Sequence, residues 1–158
     1  MKKLFSIALG VLFAFTGFGQ EYIDFTYSLK RTSKDSKIIQ VNGHLKNTGD
    51  KTVYFLSESC NGLDYYLSSE SGKTSPHVLI FCFASMPVKN ELKPGETFSF
   101  SSKLKLNQDT STLALTIMFV ELKEDENLDS KSIQQIQREY KTSTRIIKGK
   151  QVEIVRKN

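Results

Sequence analysis

The side chains best suited to metal binding or nucleophilic catalysis are few in this sequence. It contains two histidines, His44 and His77, and two cysteines, Cys60 and Cys82. Zinc sites use three or four such ligands, usually at close spacing, which these residues lack. The sequence also has no G-x-S-x-G elbow, no P-loop and no G-x-G-x-x-G motif. We therefore predict no metal, no cofactor and no catalytic residues, and we expect both histidines to be partly exposed at strand ends.

Carboxylates leave one enzymatic alternative open. Two acidic residues that are distant in sequence can converge in a pocket, where one of them with a raised pKa acts as the proton donor. A small exported hydrolase of this kind is the alternative hypothesis. The chain has no tryptophan, the usual platform of carbohydrate-processing sites. Tyr54, Tyr65 and Tyr66 could form an aromatic patch instead, although tyrosines on strands more often pack in the core or across strands.

The first 19 residues are typical of an export signal. Two lysines give a positive start, and the apolar run over residues 4–15 is shorter than the roughly 20 residues that span a bilayer. Gly17 and Gly19 are the small residues that signal peptidase accepts, so we predict cleavage after Gly19. An uncleaved anchor or a buried helix is the alternative. The predicted mature chain, residues 20–158, has the size of one domain and is expected in the periplasm or outside the cell.

Cys60 and Cys82 are predicted to form a disulfide. An exported protein meets an oxidising compartment, and the cysteine count is even. On the loop-entropy model this cross-link stabilises the fold by about 3 kcal/mol. The alternative is two buried free thiols. The sequence has no C-x-x-C motif, so a redox-active dithiol is not indicated.

The charge balance argues against a nucleic-acid partner. The chain has 22 basic and 17 acidic residues, a net charge of +5, which falls to +3 without the two leader lysines. Residues 141–157 are mainly basic and residues 121–129 mainly acidic, and both segments are typical of solvated surfaces. The mature sequence contains no apolar stretch long enough to span a membrane.

Short runs of alternating apolar and polar residues, separated by turn residues, predict antiparallel strands. Five such runs are residues 21–29, 38–46, 52–57, 63–69 and 97–106. Residues 113–122 form the most apolar run and are predicted to be a central strand. Residues 77–83 are also nearly all apolar, which suits a strand covered on both faces. Gly43 shares the apolar face of its run and marks a bulge or a close approach of another segment.

The C-terminal part has a less regular pattern. Asp129 is predicted to cap a helix over residues 130–140, where apolar residues fall at helical spacing. Residues 144–155 are predicted to be a final strand, or a hairpin that turns at residues 148–149. About seven or eight strands with turns between them predict an all-β, immunoglobulin-like antiparallel sandwich with a short helix near the C-terminus.

Two turn motifs carry a family resemblance. Residues 41–56, VNGHLKNTGDKTVYFL, place an Asn-x-Gly turn between two strands, and residues 92–100 are LKPGETFSF. Together they resemble exported immunoglobulin-like domains of bacteria and are similar in outline to the Ig-like proteinase inhibitors first named for intracellular bacterial proteases. The resemblance covers residues 38–120. It implies that the first turn crosses the sandwich and that the second opens a strand returning to the core. It implies fold only, since we identify no reactive loop.

These observations favour an exported, non-enzymatic binding module for a protein partner. Rigid sandwiches present loops and sheet edges to their partners, and a partner strand can also add to an exposed edge. We predict the contact surface at residues 57–61 together with residues 85–90, which the predicted disulfide would hold near one another. The predicted partner-binding residues are Ser85, Met86, Pro87 and Val88.

Overall fold

A computed structural model describes residues 22–33, 36–69, 72–77, 82 and 85–155. The predicted signal sequence lies outside the described residues, as does most of the strand predicted over residues 77–83. The strands are β1 (Ile23–Arg31), β2 (Ile38–Asn47), β3 (Val53–Glu58), β4 (Leu67–Ser69), β5 (Thr74–Pro76), β6 (Pro87–Leu92), β7 (Thr97–Leu106), β8 (Thr112–Leu113), β9 (Leu115–Leu122), β10 (Thr144–Lys148) and β11 (Val152–Val155). Helix α1 spans Ile133–Glu139, and short 3-10 helices cover Asp64–Tyr66 and Lys141–Ser143.

The strands form two sheets around one apolar core. One sheet has the order β5-β7-β2-β1-β11-β8 and the other β10-β9-β3-β6, with β4 also pairing with β9. Buried residues of both sheets belong to a single hydrophobic cluster. The predicted all-β sandwich with a short helix is therefore confirmed, and β9 is the predicted central strand. Among the described strands only β1 and β11 pair in parallel.

The alternation of the sequence accounts for the burial of the central strands. On β1, Ile23, Phe25, Tyr27 and Leu29 are buried while the residues between them are exposed, because successive side chains of a strand point to opposite faces. The same period continues on β2, where Gly43 faces the core. A Cβ atom at this position would overlap the ring of Phe100, its neighbour on β7. Of the two predicted alternatives for Gly43, the close approach is therefore present, while the register of β2 runs through this residue without a bulge.

Both turn motifs carry the chain from one sheet to the other. The first joins β2 to β3, and the second joins β6 to β7. Asn47 holds the two turns together: its buried side chain donates to the carbonyl oxygens of Lys51 at 2.7 Å and Leu92 at 2.8 Å, and accepts from the amide of Gly49 at 2.9 Å. Its backbone carbonyl also accepts from Gly95. The crossings expected from the sequence resemblance are thus present.

The segment over residues 63–69 differs from the predicted continuous strand. It begins with the 3-10 helix, and only its last three residues belong to a strand. Tyr65 is consequently 47% exposed, whereas Tyr66 is buried with Leu63 and Leu67. The preceding Gly62 has a φ of +54°, a left-handed conformation that turns the chain before the helix.

The C-terminal part also differs in detail from the prediction. Helix α1 begins after Ser132, whose hydroxyl accepts from the Gln135 amide at 3.2 Å, so Ser132 and not Asp129 is the N-cap. Strands β10 and β11 do not form a hairpin, because β10 pairs with β9 in one sheet and β11 with β1 in the other. Gly149 lies at this crossing, where a side chain would overlap the ring of Tyr27.

Candidate functional site

The disulfide brings together the two segments predicted as a contact surface. Cys60 and Cys82 are bonded, with their Cα atoms 6.2 Å apart, so the predicted disulfide is confirmed. Strands β3 and β6 pair antiparallel, with Ser57 opposite Val88 and Glu58 opposite Pro87. The end of β3 and the start of β6 therefore lie side by side next to the disulfide. We call residues 58–62 together with residues 85–88 the Met86 corner.

Hydrogen bonds fix the backbone at this corner. The amide of Ser59 donates to the carbonyl oxygen of Met86 at 2.9 Å, and the amide of Met86 donates to the hydroxyl of Ser59 at 2.9 Å. The hydroxyl of Ser85 donates to the carboxylate of Glu58 at 3.1 Å. The turn after β3 is closed by mutual backbone bonds between Glu58 and Gly62. Met86 is thus held by both backbone groups, while its side chain is 62% exposed.

The free edge of β6 is poorly suited to adding a partner strand. Ser59 and Met86 form a hydrogen-bonded pair, so in the alternating antiparallel ladder the backbone groups of Pro87 and Lys89 point away from β3. Pro87 has no N–H to donate at this edge. The Lys89 ammonium donates to the carbonyl oxygens of Glu124 and Glu126, both at 2.9 Å. Proline and lysine are features that keep sheet edges from pairing. The corner is therefore better suited to contact through side chains.

The two histidines lie apart. His44 is exposed in the middle of β2, not at a strand end as predicted, and its Nδ1 lies 2.9 Å from the hydroxyl of Ser99 on β7. His77 follows β5, half-buried, with its amide bonded to the carbonyl of Lys103. Within the described ranges no three His, Cys, Asp or Glu side chains are grouped as a metal site would require. His44 thus lies on the six-stranded sheet and His77 directly follows an edge strand of that sheet, whereas the Met86 corner belongs to the other sheet.

The three tyrosines considered as an aromatic patch do not share an environment. Tyr54 is half-buried on β3, with the Lys89 ammonium 5.7 Å from its ring centroid. Tyr65 is exposed, and Tyr66 is buried. Burial raises the pKa of the Tyr66 hydroxyl, and Glu58 adds to this shift. The tyrosines therefore do not present one common ligand-binding face.

A concave region, which we did not predict from the sequence, lies where β2 crosses to β3. This cleft of about 700 Å³ is lined by Tyr22, Glu121 and the turn over residues 48–53. The Tyr22 hydroxyl donates to the Glu121 carboxylate, and the Arg145 guanidinium lies 3.0 Å from the same carboxylate and 4.2 Å from the Tyr22 ring centroid. Burial and the hydrogen bond to Glu121 raise the pKa of Tyr22 to about 12.

The cleft does not combine the two carboxylates that a hydrolase of the predicted type needs. Glu121 is already engaged by Tyr22 and Arg145, and Asp50, the other carboxylate of the lining, is exposed on the turn. Burial raises the pKa of the Asp64 carboxyl, and this residue lies on the 3-10 helix Asp64–Tyr66. No second acid accompanies it in the described part of the chain at hydrogen-bond or ion-pair distance.

Comparison with known proteins adds no relative. No protein-family model matches the chain, and a search of curated proteins found no match either.

In the part of the chain that the structure describes, no helix is long and apolar enough to cross a membrane. Function is therefore inferred from the arrangement of the side chains alone.

Proposed function

We propose that this protein is an exported, non-enzymatic binding module that contacts a protein partner through the Met86 corner. The exposure of Met86 on a fixed backbone is the observation that carries the proposal. Methionine is enriched at protein interfaces, and its flexible, polarizable side chain adapts to the surface it meets. A backbone that is already ordered also loses little conformational entropy on binding.

Three features make the corner a better contact surface than the cleft. The Cys60–Cys82 bond and the β3–β6 pairing support it from both sides. The side chains of Ser59 and Glu58 already accept hydrogen bonds, from the Met86 amide and the Ser85 hydroxyl respectively. A partner can therefore cover these two groups without leaving them unpaired, which would cost about 1–3 kcal/mol for each such group.

Export is part of the proposal. Residues 1–19 would act as a cleaved signal, and the mature chain would work in the periplasm or outside the cell. The disulfide supports this assignment, because such bonds persist in oxidising compartments and are rare in the cytosol.

We also infer a distant kinship with the Ig-like proteinase inhibitors. The two turns that cross between sheets, fastened together at Asn47, support it. The inferred kinship extends to the fold and not to inhibition of a protease. The binding role at the Met86 corner does not depend on it.

The proposal is tested by site-specific photo-cross-linking in the export compartment. A photo-reactive phenylalanine analogue is placed at Met86, and in a matched control at Ile146, whose side chain is similarly exposed at 56% against 62%. Position 146 lies on β10, at the opposite edge of the same sheet. We expect a discrete protein adduct from position 86 and none from position 146.

A competition step makes the result specific. Excess purified protein without the photo-reactive group should suppress the adduct from position 86, and the same amount of the Met86→Asp variant should not. Equal adducts from both positions, or equal suppression by both competitors, would contradict the proposal.

A further inference from the structure

The outer face of the six-stranded sheet has an uncharged polar field of two rows across its three central strands, bordered by Asp24 and Lys46 at one end and by lysines at the other. Register places Ser28, Asn42 and Ser101 in one row across β1, β2 and β7, and Thr26, His44 and Ser99 in the next. All six residues are exposed. Neighbouring strands lie about 4.8 Å apart and successive outward residues about 6.8 Å apart, so these rows form a flat surface of closely spaced hydroxyl, amide and imidazole groups.

Hydrogen bonds within this field hold its side chains in place. The Gln40 side-chain amide donates to the hydroxyl of Ser101, which in turn donates to the side-chain oxygen Oδ1 of Asn42 at 3.2 Å. His44 and Ser99 are joined in the next row. Side chains that are already ordered lose less rotamer entropy when a ligand covers them. Each hydroxyl keeps a lone pair for a further bond.

A band of lysines borders the field at one end. Lys30 and Lys103 lie on either side of Gln40 in one row, about 10 Å apart across two strand spacings. Lys105 is two residues further along β7, on the same face. Among the described residues none of the three lysines forms an ion pair, whereas Arg31, at the end of β1, pairs with Asp109 at 2.5 Å. The band thus carries three positive charges without ion-pair partners in the described part of the chain, and the nearest carboxylate on this face is that of Glu153 on β11, which lies beside Ser28 in the adjoining row.

We propose that this face binds an acidic polysaccharide, with carboxylate groups against the lysine band and sugar hydroxyls over the uncharged rows. Carboxylates provide the charge that complements Lys30, Lys103 and Lys105. A chain of sugar rings carries hydroxyl donors and acceptors at a spacing that short Ser, Thr and Asn side chains can meet. The site lies on the opposite sheet from the Met86 corner, so it stands independently of the proposed protein partner.

The same face is poorly suited to the other polyanions and to a protein. Its uncharged rows contain no Phe, Tyr, Trp or Met, the residue types that are enriched at protein interfaces. Single-stranded nucleic acid is held by successive bases that stack on aromatic rings, and these rows provide one ring, the His44 imidazole. Duplex binding relies on many cationic contacts to phosphates, and this band provides three.

Binding is measured by affinity electrophoresis and titration calorimetry with polygalacturonate as the acidic polysaccharide. Dextran is the neutral control, and polyglutamate is the acidic polymer without sugar. We expect retention by polygalacturonate at low salt, weakening as added salt shortens the Debye length from about 30 Å to about 8 Å. We expect no retention by dextran and at least about tenfold weaker binding to polyglutamate.

Two triple variants distinguish binding at the lysine band from non-specific attraction to the net positive charge of the protein. Lys30→Gln/Lys103→Gln/Lys105→Gln should weaken polygalacturonate binding by at least about tenfold, since three cationic contacts are lost. Lys123→Gln/Lys141→Gln/Lys150→Gln removes the same charge from exposed positions outside the face and should change binding less than about twofold. The proposal is overturned if polygalacturonate is not retained, if both triple variants weaken binding equally, or if polyglutamate binds as tightly.

Discussion

Phe100 lies directly over Gly43, its neighbour across β2 and β7, so that a Cβ atom at position 43 would lie 2.7 Å from the Cε1 atom of the ring. Gly43→Ala should therefore destabilise the protein by about 1–3 kcal/mol, because an added methyl group forces the ring out of its packed position. Chemical denaturation with urea gives this difference in the free energy of unfolding.

The background of Phe100→Ala tests that physical cause. Without the ring, Gly43→Ala should cost less than about 0.5 kcal/mol, which gives a strong coupling energy in the double-mutant cycle. Equal costs in both backgrounds would show that the backbone of residue 43, and not the ring, requires glycine.

The disulfide should stabilise the fold because it closes a loop between two cysteines that are 22 residues apart in the sequence. Cys60→Ser/Cys82→Ser is expected to lower the free energy of unfolding by about 3 kcal/mol, because the unfolded chain regains the entropy that the cross-link removes. Reductant should lower the stability of the wild type similarly and leave the double variant unchanged. A double variant as stable as the oxidised wild type would refute this role.

Asp64 should destabilise the fold at neutral pH. Burial raises the pKa of its carboxyl above the ordinary value of 3.8, so folding disfavours the ionised form. Asp64→Asn should therefore be more stable than the wild type at pH 7. This advantage should shrink as the pH falls through the raised pKa and vanish below 3.8, where the carboxyl is neutral in both states. Urea denaturation at several pH values measures it, and a constant difference would contradict the assignment.

Glu126 should show the opposite pH dependence. Hydrogen bonds from Lys131, at 2.6 Å, and from Tyr140 hold the pKa of its carboxyl below the ordinary value of 4.5. Its stabilising effect is complete above pH 4.5 and is lost as the pH falls through the lowered pKa. Glu126→Gln should therefore be less stable than the wild type at pH 7 and similar to it in acid. Glu153→Gln, which removes an exposed carboxylate from β11, is the control and should show little change.

Most of the fold could be predicted wherever one side of a strand faces water. The alternation on β1 and β2 identified their buried residues, and Gly43 on the apolar face indicated either a bulge or a close approach. The residues around Tyr65 and Tyr66 were assigned the wrong period, because a 3-10 turn buries its third residue while a strand buries alternate ones. The parallel pairing of β1 with β11 joins the first and last of the described strands, and no local pattern encodes such a partner.

The candidate surfaces were predictable to different extents. The proximity of the segments around Cys60 and Met86 could be predicted from the sequence, because a disulfide between Cys60 and Cys82 requires the two segments to lie close together. The cluster of Tyr22, Glu121 and Arg145 was missed because its members lie just before β1, on β9 and on β10, and long-range strand pairing brings them together. The lysine band was missed for the same reason, although alternating serine and lysine on β7 was a visible signal.

The most direct test of the binding role uses the partner protein that photo-cross-linking identifies. This partner is purified in its free form and titrated with three proteins. The wild type, Met86→Asp and Ile146→Asp are compared, since each variant adds one charge at a similarly exposed apolar position. We predict that Met86→Asp weakens the affinity by at least about tenfold, because the charge would be buried at the centre of the contact, while Ile146→Asp changes it less than about twofold. Unchanged affinity of Met86→Asp, or equal losses in both variants, would contradict the Met86 corner as the site of partner binding.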